Sequence, residues 1–350
     1  MIRLEVQFDQ KQVASFGYVT SLNAYVDFLG DDLFDALQSR KRQYGGFLDG
    51  ICGDAFRIYY SREDRMGSAF VYPENPLRVV AYLLAYRYDY TYNVKEDTLA
   101  RVRDYIEKGR PVLMPMVIPP PEWALIVGFD DTRLYLHTFA GPKEMTNEQF
   151  ADAVGKSWWQ PTMDRAKPTG EKPMFVLWER QARSDLQKII IDGIKFGIKL
   201  ATIETVEYAG KRYTGGPAAL EVRAKDLEED RDYSNLEDKT LVSWHFFPFL
   251  YYQLSRWSRA SFLGISSEQF VGADKARIEE AFHHTEKVND LARRYREALS
   301  VPWPKSPHNS NEVLLKKISE PERRKRGAEL LRQIADAERA TVGELQKLVG

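Results

Sequence analysis

Hydrophobic positions in the first half of the chain keep changing period, whereas those in the second half keep almost entirely to the spacing of a helix. Alternation over 2–8 predicts a strand, and residues 15–29 carry apolar side chains at helical intervals before Gly30, a natural helix stop. A shorter helix is predicted over 31–42, a glycine-rich turn over 45–53 and a strand over 55–60. Residues 75–88 and 96–108 predict two more helices, the first opened by Asn75-Pro76 and the second closed by Gly109. Strands are then expected at 111–117, 123–129 and 133–137, the last two joined by a tight Asp130-Asp131 turn into an antiparallel hairpin. A further strand is predicted at 175–178, and the proline- and tryptophan-bearing stretch 157–173 reads as an irregular loop over the sheet.

From residue 180 the pattern predicts a long amphipathic helix over 186–208, broken by Thr214-Gly215-Gly216-Pro217, and a helix over 218–227. An exposed connection follows at 228–239, then helices over 241–263 and 268–299 and a proline-rich break at 301–307. The charged stretch 311–350, with a basic cluster at 322–326, reads as a solvated helix face or a partner-binding appendage. The expected organisation is an α+β domain over 1–180 with an antiparallel sheet, an all-α domain over 181–300, and a charged helical tail over 301–350.

Composition narrows the partners. With 43% hydrophobic residues in 350, the chain has the apolar material for one or two sizeable cores. Fifty Lys and Arg against 51 Asp and Glu give a formal charge of −1, which removes the bulk attraction to nucleic acid or to anionic lipid. No apolar stretch reaches the roughly 20 residues needed to cross a bilayer, and the alternating N-terminus carries no secretory pattern. A cytoplasmic protein with no membrane partner is therefore expected. The single cysteine, Cys52, excludes an intrachain disulfide and a multi-thiolate zinc site.

Three segments carry a resemblance. Gln12 followed by FGYVTSLNAYVDFLG (16–30), then GDAFRIYY (53–60), then GRPVLMPMV with EWALIVGFDD (109–117 and 122–131), resemble the papain-like domain of the bacteriocin-leader cysteine peptidases and of the N-terminal part of the butirosin-biosynthesis acyltransferase. GGPAAL (215–220) and RWSRASFL (256–263) resemble the helical domain appended to it. The resemblance implies a thiolate at the start of the first long helix, a histidine on a strand as its base, and an Asn or Asp on the next strand to orient the imidazole. The thiolate position falls near Gly17, between Phe16 and Tyr18, where there is no cysteine. Glu122 stands where the histidine would be, and Thr138 where the orienting residue would be. Only Gln12 remains, as an oxyanion donor.

The expected function is a non-catalytic papain-like protein that binds a peptide or small metabolite in a degenerate cleft bordered by Phe16, Gly17, Tyr18, Glu122, Trp123, His137 and Thr138, with Trp158 and Trp159 as a wall. The alternative is an acyltransferase or amide hydrolase rewired around Glu122 or Cys52; a second is an interaction protein that self-associates through its helical half. Cys52 otherwise reads as a buried inert thiol. Glu280 and His283 have the ExxH spacing of carboxylate metal sites, but no second ExxH accompanies them, so they read as a solvated helix face. No phosphate loop, dinucleotide fingerprint or serine elbow occurs, and no cofactor is expected.

Overall fold

A computed structural model describes residues 1–7, 17–32, 44–62, 71–93, 95–116, 122–138, 141–155, 172–208, 210–229, 240–299 and 318–350. Most of the helix predicted at 31–42, the loop at 157–173, the connection at 228–239 and the break at 301–307 lie outside them. The first elements are β1 (Ile2–Arg3), α1 (Gly17–Phe28), α2 (Tyr44–Ile51), a 3-10 turn (Asp54–Phe56), β2 (Tyr59–Tyr60), α3 (Pro76–Leu83), β3 (Tyr86–Asn93) and α4 (Lys95–Glu107). Next come β4 (Val112–Met116), β5 (Glu122–Phe129), β6 (Arg133–Thr138), β7 (Gly141–Thr146), α5 (Asn147–Gly155) and β8 (Lys172–Arg180). The remainder is α6 (Leu186–Thr202), β9 (Thr205–Tyr208), β10 (Lys211–Gly215), α7 (Gly216–Glu228), α8 (Thr240–Ser267), α9 (Gly272–Leu299) and α10 (Pro321–Val349).

The protein is a mixed α and β structure with an antiparallel sheet and a helical C-terminal half. It divides into two compact units, Met1–Cys52 with Glu74–Gly193, and Gly53–Pro73 with Ile194–Gly350. The boundaries expected at 180 and 300 are not where contacts thin out. The described residues 53–62 and 71–73 belong with the C-terminal half, and so do residues 318–350 of the supposed tail.

In the first unit the strands run β3-β8-β4-β5-β6-β7, with β1 also paired to β5. Residues two apart along the strands, Val112 and Met114, Ala124 and Ile126, Leu134 and Leu136, Met174 and Val176, share one core with Val102 and Ile106 of α4 and Phe150 and Val154 of α5. The other face meets α1, whose Tyr25 hydroxyl donates to the Leu177 carbonyl and accepts from the Leu177 amide. Asp130 closes the hairpin as expected: its Oδ1 accepts from the amides of Thr132 and Arg133, each at 2.8 Å, and its Oδ2 from the Tyr135 hydroxyl at 2.7 Å. The Tyr135 bond, together with the turn amides, holds the Asp130 carboxyl well below the usual carboxylate range.

Several local readings change. The helix expected over 75–88 stops at Leu83, because Tyr86, Tyr88, Tyr90 and Tyr92 alternate with polar residues and form β3 instead. Its start is as expected, with Asn75 Oδ1 accepting from the amides of Leu77 and Arg78. The turn expected over 45–53 is α2, because burial of Phe47, Leu48 and Ile51 on one face outweighs the glycine content. The strand expected over 55–60 is a 3-10 turn followed by only two strand residues. The helix expected over 186–208 ends at Thr202 and gives way to β9, and β7 and α5 were not expected at all.

In the second unit β2, β10 and β9 form a three-stranded antiparallel sheet, and α7 leaves it at Gly215-Gly216-Pro217. A Cβ at Gly215 would strike the Ile203 carbonyl oxygen, and Gly216 adopts φ +63° with the Ala201 carbonyl 2.7 Å from where a Cβ would stand. The glycine pair therefore permits the close approach of two backbones. The charged stretch expected as a solvated tail is α10, whose Leu330, Leu331, Ile334 and Ala335 join Leu227, Phe249, Val288 and Tyr295 in the core. Within the basic cluster, Arg324 is buried and donates to the carbonyls of Leu227, Ile318 and Ser319 at 2.8–3.1 Å, closing the end of α7. No described helix is long and apolar enough to cross a membrane.

Candidate functional site

The site implied by the resemblance lies where α1 meets the sheet. Gly17 is the first residue of α1, and Glu122 is the first residue of β5, paired with Met116. Gln12, Phe16, Trp158 and Trp159 lie outside the described residues. Tyr18 and Trp123 come together there. Their rings meet edge to face with centroids 6.0 Å apart, and they are only 1% and 8% exposed.

Antiparallel register separates the other two candidates. Thr138 pairs with Ala124, which faces α4 and α5, so it lies on the face away from α1. It is fully buried, and its hydroxyl donates to the Gly141 carbonyl at 2.9 Å, holding the β6–β7 turn. Thr138 therefore lies on the opposite face of the sheet from Trp123 and His137. His137 pairs with Leu125 on the opposite face and is half-buried. Burial, and secondarily the positive charge of Arg3, lower its pKa, which keeps the imidazole neutral at pH 7.

Cys52 sits immediately after α2 and is buried. Its sulfur donates to the Asp49 carbonyl at 3.4 Å and lies 3.8 Å from the Tyr18 hydroxyl. Sequence separation hid this proximity, which joins Cys52, Tyr18 and Trp123 in one packed group. The end of a helix presents carbonyl oxygens and negative potential, the reverse of the helix start that stabilises a thiolate. The group is thus suited to packing a neutral thiol.

Glu280 and His283 do not converge. Glu280 pairs instead with His284, one turn on, at 3.4 Å, while His283 is exposed with its ring against Phe282. Among the described residues no cluster of candidate metal ligands includes either.

The second unit holds a cavity of about 380 Å³ that sequence reading missed. Across its sheet Thr205, Thr214 and Tyr60 stand directly opposite one another on β9, β10 and β2, and one step along, Arg212 stands opposite Glu207. These rows share one face of the sheet, and Val222 of α7 also lines the cavity. The alternation in KRYTG (211–215) could have announced this face, but residues 205–208 read as the end of a helix and 214–217 as the break after it.

No protein-family model matches the chain, and no curated protein matches it.

Proposed function

We propose that the first unit is a papain-like domain without cysteine-peptidase chemistry, serving as a scaffold whose cleft is closed by its own side chains. One observation carries this reading: the buried edge-to-face pair of Tyr18 and Trp123 at the start of α1, where the resemblance implies an accessible thiolate. Papain-type catalysis needs a thiolate, a base and an orienting group in mutual reach, and at the positions the resemblance implies the chain has Gly17, Glu122 and Thr138. A peptide or small metabolite at this cleft would have to displace Tyr18 or Trp123. The chemistry rewired around Cys52 is disfavoured by the bond of that thiol to the Asp49 carbonyl. Self-association through the helical half is disfavoured because the apolar residues of α10 turn into its own unit's core.

The test is incubation of the full chain with panels of acyl thioesters, amides and electrophilic cysteine-peptidase probes, followed by intact-mass measurement. The expected result is an unmodified mass and no hydrolysis. A stoichiometric adduct on Cys52, formed without denaturant, would overturn the scaffold reading.

A further inference from the structure

The cavity of the second unit is independent of the cleft discussed above and has a different chemical character. It is lined by the row Tyr60, Thr214 and Thr205 and by Arg212 and Arg62, and Ser61 adds a third aliphatic hydroxyl. Among the described residues no carboxylate lines it, but two are close by: Glu207 stands beside Thr205 on the same face of the sheet, and Asp226 is hydrogen-bonded to Tyr60. Asp226 receives Arg62 Nε at 2.6 Å, with Glu229 3.7 Å from the same guanidinium, so Arg62 is anchored. Arg212 is held differently. Its contact with Glu207 across the strands is 3.5 Å long, and the two side chains are 76% and 69% exposed. An ion pair this long and this exposed is weak, so an incoming anion can take Arg212 from Glu207 at little cost.

We propose that this cavity binds a small phosphorylated metabolite, with Arg212 and the hydroxyls of Thr205 and Thr214 receiving the phosphate. A phosphomonoester brings three acceptor oxygens and close to two negative charges, which matches a guanidinium fork flanked by hydroxyl donors. A carboxylate, with two oxygens and one charge, would use fewer of them. The volume, near the lower end of small-molecule sites, limits the ligand to the size of a sugar phosphate or a nucleoside monophosphate. Val222 offers apolar surface to the body of that ligand.

The experiment is calorimetric titration of the full chain with inorganic phosphate, glucose 6-phosphate and adenosine monophosphate, alongside glucose, adenosine and citrate. Saturable binding of at least one organic phosphate is expected, and its neutral parent should not bind. Arg212→Ala should weaken that binding on the order of tenfold to a hundredfold, and Thr214→Val should weaken it several-fold. Glu207→Gln, which removes the competing carboxylate, should tighten it. Because Arg212 and Glu207 are exposed, their variants should keep the wild-type circular dichroism and melting temperature. The proposal is overturned if no phosphate binds up to millimolar concentration, if Arg212→Ala binds as well as wild type, or if citrate or the neutral parents bind as tightly as the phosphates.

Discussion

Glu338 is the residue whose neutralisation should cost the second unit most. It lies on α10 with its side chain fully buried, and Oε1 accepts from Arg256 Nε at 2.6 Å and from the Tyr252 hydroxyl at 2.5 Å, while Oε2 accepts from Arg259 Nη1 at 2.6 Å. Tyr252, Arg256 and Arg259 fall on one face of α8. Arg256 also donates to the carbonyls of Ala55 and Arg57, so the carboxylate secures the guanidinium that holds the 3-10 turn. Burial by itself would push the Glu338 pKa up, but the two guanidinium groups reverse this and bring it down to about 2 from 4.5. A depression of that size corresponds to about 3 kcal/mol. Glu338→Gln leaves two buried arginines without their counter-charge, a loss of about 3–5 kcal/mol in comparable sites. Since the folded pKa lies below the unfolded one, this stabilisation is complete above pH 4.5 and is lost as pH falls towards 2. Urea unfolding of wild type and Glu338→Gln, read by hydrogen exchange in the α8 and α10 peptides, should show a gap of about 3 kcal/mol at pH 7 that closes near pH 2. A gap under about 1 kcal/mol at pH 7, or one that does not change with pH, would refute the reasoning.

Trp123→Ala should destabilise the first unit by about 3–5 kcal/mol, since it empties the space beside Tyr18; thermal melts should show the loss, and a change under about 1 kcal/mol would mean that the ring pair is not packed in the interior. Cys52 should react with iodoacetamide only as fast as the protein opens, with full labelling in denaturant. Rapid native labelling that rises with pH would indicate an accessible thiolate and sink the packed-thiol account. Tyr86→Phe removes the hydroxyl that donates to buried Asp31 at 2.6 Å but leaves Arg180 and Arg183 in place, so it should cost only about 1–2 kcal/mol, read by chemical denaturation. A much larger loss would mean that the arginines alone do not satisfy that carboxylate.

What the sequence by itself determined was local. Period-two alternation and the Asp130 turn placed β4, β5 and β6, and Asn75-Pro76 placed the start of α3, because these signals depend on neighbours within a few residues. The absence of cysteine near Gly17 was equally plain and already argued against papain-type chemistry. Only the tertiary structure decided that Tyr18, Trp123 and Cys52 pack together, that Thr138 faces away from His137, and that Thr205, Thr214 and Tyr60 form one row. Each of these depends on strand register or on contacts between distant segments, and a shift of one residue would turn every side chain to the other face. The charged appearance of residues 311–350 misled for the same reason. One stripe of α10 is apolar and buries itself, and Arg324 and Glu338 enter the interior because partners far away in sequence satisfy them.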